Sequence, residues 1–308
     1  MKLKKLLLSF LTIALLFTLV IPSSLATAQE TSQTQVYSTE NGSSYTVASS
    51  ENGTEIVIPI YVIYDEETQQ GYQLTESEYQ QRKSSLSPMT VSVIRYQVAI
   101  SANNGILTYG YTIKTLAGPI PTTAKIHVAS LVSSTTRYGL YSQWGSADFN
   151  LIGSDFVLGT GKTKQDNMYN TYYWKFRINS STTWASGRVD LSDETTDAFL
   201  LNKKGVLYPK YSDPQSGIAL IEPRADMVPN PRTPSSTYRT NFMKHYNTSF
   251  GNPTYFIWDD VQVHHMIPVR FNGSDAMSNL IPLWKPGVQP QNGILSHSVL
   301  NSWWANYY

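Results

Sequence analysis

The segment Val263-His264-His265-Met266-Ile267-Pro268 decides the architecture of the C-terminal part of this chain. The apolar run before the histidine pair predicts a short β-strand, and neighbouring residues of a strand point to opposite faces of the sheet. One histidine can therefore bind a ligand on one face while its neighbour serves another group on the opposite face. The chain has five histidines in all, and His297 places a third one near its end.

Two further motifs follow the histidine pair. A turn at Gly273-Ser274-Asp275 precedes the apolar segment Asn279-Leu280-Ile281-Pro282-Leu283, and His297 opens a helix-compatible segment that contains Trp303-Trp304. These residue types suit phosphodiester hydrolysis, because that reaction needs a base that works near neutral pH and a cation that stabilises charge on the phosphate. A buried asparagine such as Asn279 can tie two stretches of loop backbone together, since its amide has two donors and an acceptor.

This succession of motifs resembles the HNH endonuclease superfamily, and more narrowly the HNH domains of secreted bacterial toxins. Those domains carry His-His-x-x-Pro, a Gly-(Ser/Thr)-(Asp/Asn) turn, Asn-Leu-(Ile/Val)-Pro-Leu, a His and a closing Trp-Trp in this order. The resemblance implies an α+β domain built on a ββα-metal finger. It further implies a metal-dependent endonuclease of low sequence specificity that hydrolyses the phosphodiester bonds of DNA, with RNA left open.

The resemblance also assigns roles to individual residues. His264 and His297 match the metal ligands, His265 matches the general base, Asn279 matches the loop-fixing asparagine, and Arg270 matches a position that often contacts phosphate. One divalent metal ion is implied. Nitrogen ligands favour zinc or another transition metal such as manganese or nickel, whereas magnesium prefers oxygen, so the choice among Zn²⁺, Mn²⁺, Ni²⁺ and Mg²⁺ stays open.

The resemblance extends over residues 201–308, which we interpret as one HNH nuclease domain. Its first part, with Tyr-Pro-Lys-Tyr at 208–211, predicts a hairpin with a Pro/Gly turn. A helix is predicted through Tyr238–Tyr246, capped by Ser235 or Ser236. Arg239 and Lys244 on this helix, together with Lys285, are the candidate contacts to the nucleic-acid backbone.

The first half of the chain predicts export followed by a β domain. A basic start, an apolar stretch and Ala26-Thr27-Ala28 are typical of a signal peptide at residues 1–28, with cleavage after Ala28 and no membrane anchor in the mature protein. Residues 29–50 are polar and predict a flexible leader. Residues 51–200 contain short alternating runs that predict an all-β, sandwich-like domain. The runs are Glu55–Tyr64, Val91–Ser101, Gly105–Thr115, Ala124–Val132, Phe149–Leu158, Tyr169–Ile178 and Ala185–Leu191, with one helix at Thr75–Ser85.

Composition limits the chemistry without identifying it. Cysteine is absent, which excludes Cys-ligated metal sites and thiol nucleophiles, and a secreted protein without cysteine favours a Gram-positive source. The formal net charge of the whole chain is +1, and the basic excess in its C-terminal part is small. A strong electrostatic footprint for nucleic acid is therefore missing.

Two other classes of function stay open. One is an exported protein whose β domain binds glycan or another cell-surface ligand while an inactive HNH remnant follows it. The other is a metallohydrolase that cleaves small phosphodiesters. If the protein is a toxin, an immunity protein is a candidate partner, and nutrient scavenging or DNA uptake are alternative roles for a secreted nuclease.

Overall fold

The computed structural model describes residues 33–86, 89–288 and 291–308. The predicted signal peptide lies outside the described residues. Within them, no helix is long and apolar enough to cross a membrane. The strands are β1 Gln33–Ser38, β2 Ser44–Ser50, β3 Gly53–Asp65, β4 Gln70–Leu74, β5 Val91–Asn103, β6 Ile106–Ala117, β7 Thr123–Ser133, β8 Ser142–Ile152, β9 Gly161–Asn167, β10 Tyr172–Thr183, β11 Arg188–Thr195, β12 Phe199–Leu201, β13 Val261–His265 and β14 Leu280–Trp284, and the helices are α1 Glu76–Arg82, α2 Tyr238–Phe250 and α3 His297–Ala305.

Two antiparallel sheets form the part from Gln33 to Leu201, which we call the β region. The first sheet has the order β1-β2-β3-β5-β6-β9. Strand β4 pairs with the second half of β3, whose first half pairs with β2. The second sheet has the order β11-β10-β7-β8, and β12 pairs with β10. The register is regular over long stretches, since β3 pairs with β5 from Gly53 opposite Asn103 to Asp65 opposite Val91.

The two sheets share one apolar core. Fully buried side chains reach it from both sheets, among them Ile58 and Val98 from the first and Ile126 and Phe176 from the second. The alternation of buried and exposed positions along the strands directs every second side chain inward, as the period-2 sequence pattern predicts. The protein is therefore predominantly β, as expected from the sequence.

The predicted flexible leader is wrong for residues 33–50. Strand β1 pairs with β2, and β2 pairs with β3, so this segment extends the first sheet. Tyr45 and Val47 are buried in the core with 1% and 2% of their surface exposed. The polar composition concealed a short alternation of apolar residues, which is the pattern of a strand with one buried face.

Each predicted strand overlaps an observed one, but several limits differ. The run Phe149–Leu158 covers only the last part of β8, which begins at Ser142 and stops at Ile152 before the chain turns through Gly153–Asp155. Strands β10 and β11 extend beyond the ends of their predicted runs, to Thr183 and Thr195. The predicted helix at Thr75–Ser85 is confirmed, since α1 spans Glu76–Arg82 and a 3₁₀ turn continues it over Lys83–Ser85. Thr75 caps it by accepting from the Glu78 backbone N–H while the Glu78 carboxylate accepts from the Thr75 N–H, a capping box.

The remainder, Asn202–Tyr308, is called the C-terminal region. The predicted hairpin after Leu201 forms only isolated bridges, such as the one between Ser212 and Ala219. Helix α2 follows and ends at Phe250, where Gly251 adopts a φ of 84° that favours glycine. Strands β13 and β14 then form an antiparallel hairpin, and α3 closes the chain.

The expected boundary near Leu200 is crossed by shared packing. One apolar cluster joins Tyr173 and Leu200 of the β region to Trp303 and Trp304 of α3. The Asn202 side chain also donates to the Trp303 carbonyl at 3.2 Å. The described residues from Gln33 to Tyr308 form one compact unit, so residues 51–200 and 201–308 are parts of one folded body rather than two independent ones.

Candidate metal and base site

Strand β13 places the two adjacent histidines on opposite sides of the hairpin. His264 lies opposite Ile281 of β14, and His265 lies opposite Leu280. On one side the His264 ring contacts the ring of His297, and on the other side the His265 ring packs against Tyr238 of α2. The alternation of a strand thus directs one histidine toward α3 and its neighbour toward α2.

His264 and His297 form a pair of neutral imidazoles. Their ring centroids are 4.8 Å apart in an edge-to-face arrangement. Burial lowers the pKa of His264 to about 4, with a further contribution from the charged form of His297, and burial also lowers the pKa of His297. Both rings are therefore unprotonated at neutral pH, which is the form in which imidazole binds metal.

The His264 Nδ1 atom is buried and has no hydrogen-bond partner within the part of the chain that the structure describes. An unsatisfied buried nitrogen is costly, and a ligand is one of the few explanations for it. His297 begins α3, where Ser296 caps the helix by accepting from the Ser298 N–H. The nitrogen donors fit a transition metal, with His264 and His297 as the residues that would hold it.

This pair supplies only two protein ligands. Across residues 33–86, 89–288 and 291–308, no group of three or more His, Cys, Asp or Glu side chains is arranged to hold a metal. A metal at this position would complete its coordination with water or with oxygen atoms of a substrate.

His265 is bound by a carboxylate that the sequence did not assign to a role. Its Nε2 atom lies 2.7 Å from Oδ1 of Asp275, and only 8% of the residue is exposed. Arg232 holds the same carboxylate through two hydrogen bonds, of which Nη1 to Oδ2 measures 3.1 Å. The Arg232 guanidinium is the main reason that the pKa of Asp275 lies well below its usual range. Asp275 is thus ionised and accepts hydrogen bonds only.

Asn279 fixes the loop between β13 and β14. Its Oδ1 accepts from the Ile267 N–H at 2.9 Å, while its Nδ2 donates to the carbonyl oxygens of Ile267 at 3.1 Å and Ser274 at 2.8 Å. The loop is also drawn tight at Gly273, where a Cβ would overlap the Ile267 carbonyl oxygen. Glycine is required there because the two backbone segments approach closely.

The cationic residues predicted to contact phosphate are mostly engaged elsewhere. Arg239 donates to the carbonyl oxygens of Val261 at 3.1 Å and Trp258 at 2.6 Å, so it braces the start of β13 and is not a free phosphate contact. Lys285 donates to the carbonyl of Asp259, and Arg270 donates to the carbonyl of Trp304. Arg270 remains exposed, with its guanidinium over the Phe271 ring. Lys244 is exposed and has no ion pair among the described residues.

Sequence reasoning missed three residues around His265. Asp275 was noted as part of a turn but given no role, and Arg232 was hidden in a proline-rich connection. Arg232 and Asp275 are 43 positions apart in sequence, so only the fold brings them together. Tyr238, whose ring centroid is 4.7 Å from that of His265, belonged to a predicted helix whose buried face was not identified. A carboxylate ten residues after a candidate base was the available signal for Asp275.

Comparisons with protein-family models, with curated proteins and with solved structures found no match for this chain. The interpretation of the site therefore depends on its own geometry and on the residue pattern.

Proposed function

We propose that the protein is a secreted, metal-dependent endonuclease of the HNH type that hydrolyses phosphodiester bonds with low sequence specificity. One observation carries this proposal. The hairpin β13–β14 and helix α3 bring the rings of His264 and His297 into contact, with centroids 4.8 Å apart, while the neighbouring His265 is held separately on the other face of the strand. The order hairpin then helix corresponds to the ββα finger expected from the motif resemblance.

The chemistry assigned to the chain begins with His265. In the proposed step its free ring nitrogen accepts a proton from a water molecule, and the water oxygen forms a bond to phosphorus as the bond from phosphorus to the 3′ oxygen breaks. The leaving 3′ oxygen takes a proton from solvent water, and His265 returns its proton to solvent. A divalent cation bound by His264 and His297 would stabilise negative charge on the phosphate and on the leaving oxygen.

The remaining residues position these groups. Asn279 holds the loop that separates β13 from β14, and Tyr238 packs against the His265 ring. Arg270 is the exposed cation assigned to a phosphate contact, and Lys244 on α2 is a second candidate. DNA is the substrate proposed from the motif resemblance, with RNA as the alternative. A hairpin and one short helix offer little surface for reading base edges, which supports low specificity.

The test is digestion of supercoiled plasmid by purified residues 29–308, the form expected after signal cleavage, with Mg²⁺, Mn²⁺, Zn²⁺, Ni²⁺ or EDTA. We expect nicking that requires a divalent metal and that falls by about 100-fold or more in His265→Ala, because a general base contributes rate enhancements of that order. His264→Ala should lose activity at low metal concentration.

His245→Ala is the matched control, because His245 is exposed on α2 and its ring contacts Phe250. It should nick plasmid at the wild-type rate. Equal nicking by His265→Ala would assign the activity to another base or to a contaminant. Absence of cleavage with every metal, in a protein whose circular dichroism shows folded β structure, would end the nuclease proposal.

A binding function for the β region has one observation in its favour. A polar cavity of about 540 Å³ lies on the second sheet, lined by residues that include Lys125, His127, Asp148, Asn179, Arg188 and Asp190. Its hydrogen-bonding groups suit a polar ligand such as a glycan. Several are already paired with each other, as His127 Nδ1 is with Asp148 at 2.9 Å. This second candidate function becomes the leading one if the nuclease test fails.

A further inference from the structure

Asp275 lies beside the site and makes contacts that the proposed reaction does not explain. Its carboxylate accepts four hydrogen bonds. Oδ1 accepts from His265 Nε2 at 2.7 Å and from Arg232 Nη2, while Oδ2 accepts from Arg232 Nη1 at 3.1 Å and from the Ser235 backbone N–H at 2.8 Å. Such a set fixes the carboxylate in position and leaves it without a free acceptor direction.

The consequence for His265 is a single tautomer. An ionised carboxylate can only accept, so the Nε2 atom beside it carries the hydrogen and the Nδ1 atom of the neutral ring carries the lone pair. His265 Nδ1 makes no hydrogen bond to any residue that the structure describes, and it is not among the fully buried unpartnered atoms of that part. It is therefore the nitrogen that is open to accept a proton.

We propose that Asp275, held by Arg232, is a positioning residue that orients His265 and makes Nδ1 its proton acceptor. This inference depends on the proposed nuclease function for its catalytic consequence, but the tautomer is a property of the folded protein alone. Arg232 has a defined part in it. Its Nε also donates to the Gly273 carbonyl at 2.6 Å, so the guanidinium ties the carboxylate to the turn that carries it.

Asp275→Asn tests whether the hydrogen-bonding pattern of the Asp275 side chain, and not its size, orients His265. The amide has one oxygen. Two fixed donors, Arg232 Nη1 and the Ser235 N–H, face the Oδ2 position, whereas Arg232 Nη2 is the one fixed donor at the Oδ1 position, so we expect the oxygen at Oδ2. The NH₂ group is then directed toward His265, which must respond by accepting at Nε2 and carrying its hydrogen on Nδ1. The shape of the side chain is kept while the tautomer is reversed.

The experiment is nuclear magnetic resonance of protein labelled with ¹⁵N-histidine, free of metal, at roughly pH 8.5, about two units above the ordinary imidazole pKa. With five histidines in the chain the spectrum is simple, and His265→Ala identifies the His265 signals. We expect the Nε2–H tautomer in the wild type and the Nδ1–H tautomer in Asp275→Asn. In plasmid nicking, Asp275→Asn should lower kcat by about 100-fold with KM unchanged.

Two controls isolate the pathway through His265. Asp226→Asn removes another carboxylate of the C-terminal region. Asp226 Oδ1 accepts from Arg224 Nε at 2.8 Å, and Asp226 bonds to no histidine in the described ranges. This variant should change neither the tautomer nor kcat. Adding Asp275→Asn to His265→Ala should cost no further activity, because a positioning residue acts only through the group that it positions.

A wild-type His265 that carries its hydrogen on Nδ1 would overturn the proposal, and so would Asp275→Asn with an unchanged tautomer and wild-type kcat. The wild-type measurement needs no variant, so it decides the structural part even if Asp275→Asn does not fold. A folded wild-type protein that cleaves nothing with any metal would instead overturn the proposed function and the catalytic part of this inference, while the tautomer still reports on the contact between Asp275 and His265.

Discussion

The β region and the C-terminal region are stabilised in different ways. In the β region, β3 and β5 each run for 13 residues and pair along their whole length, so backbone hydrogen bonds and alternating apolar side chains define the structure. In the C-terminal region, β13 and β14 have 5 residues each. There, side chains supply many of the bonds to backbone, as Arg239 does to Val261 and Trp304 Nε1 does to the Met266 carbonyl.

The two kinds of structure should differ in their sensitivity to single substitutions. A long ladder tolerates the change of one side chain, because its neighbours keep the register. A loop held by a few polar side chains depends on each of them, because a lost partner leaves buried backbone groups without hydrogen bonds. The histidines lie in the second kind of structure, so their geometry should be sensitive to single residues such as Asn279 and Asp275.

The largest effect we expect follows from separating the two regions. Residues 201–308 expressed alone lack Tyr173 and Ala198, which complete the apolar cluster around Trp303 and Trp304. They also lose Thr171, whose hydroxyl donates to the Tyr307 carbonyl at 2.7 Å. The fragment should therefore show no cooperative unfolding in urea, whereas residues 29–308 should unfold in a single transition. A fragment that unfolds cooperatively would show that the C-terminal region is an independent domain after all.

The same contrast explains what the sequence could predict. Alternation over ten or more residues identified β3, β5 and β6, because period 2 survives wherever one face is buried. Strands β1 and β2 were missed, since their polar composition outweighed Tyr45 and Val47. The histidine pair, Asn279 and His297 were found from spacing. Arg232 could not be found, because no local pattern marks a contact that depends on how a distant loop folds back.

The next largest effect is expected from replacing Asn279, because the loop between β13 and β14 depends on this one side chain. Replacement by alanine leaves the Ile267 N–H and two carbonyl oxygens without partners at a position that is only 6% exposed. We expect a loss of about 3 kcal/mol in the free energy of unfolding, measured by urea denaturation, because each unsatisfied buried group costs about 1–3 kcal/mol. Asn150→Ala on the exposed face of β8 is the control, and it should cost about 0.5 kcal/mol or less.

A loss for Asn279→Ala as small as that for Asn150→Ala would contradict the dependence of this loop on one amide. The same variant should also reduce nicking more than its loss of stability accounts for at assay temperature. The reason is that a displaced loop changes the separation between His265 and the ligand pair.

The smallest expected effect concerns the metal and needs no activity measurement. A metal that binds only the folded state raises its stability by RT ln(1 + [L]/Kd), which is about 1.4 kcal/mol at ten times Kd. We therefore expect Zn²⁺ to raise the Tm of the wild type by a few degrees and to leave the Tm of His264→Ala and of His297→Ala unchanged. Because burial lowers the pKa of His264 to about 4 and also lowers that of His297, protons compete less for this pair than for exposed imidazoles, and the Tm shift should be present at about pH 7.5. His245→Ala should respond as the wild type does. An equal Tm shift in His297→Ala would show that the metal binds elsewhere.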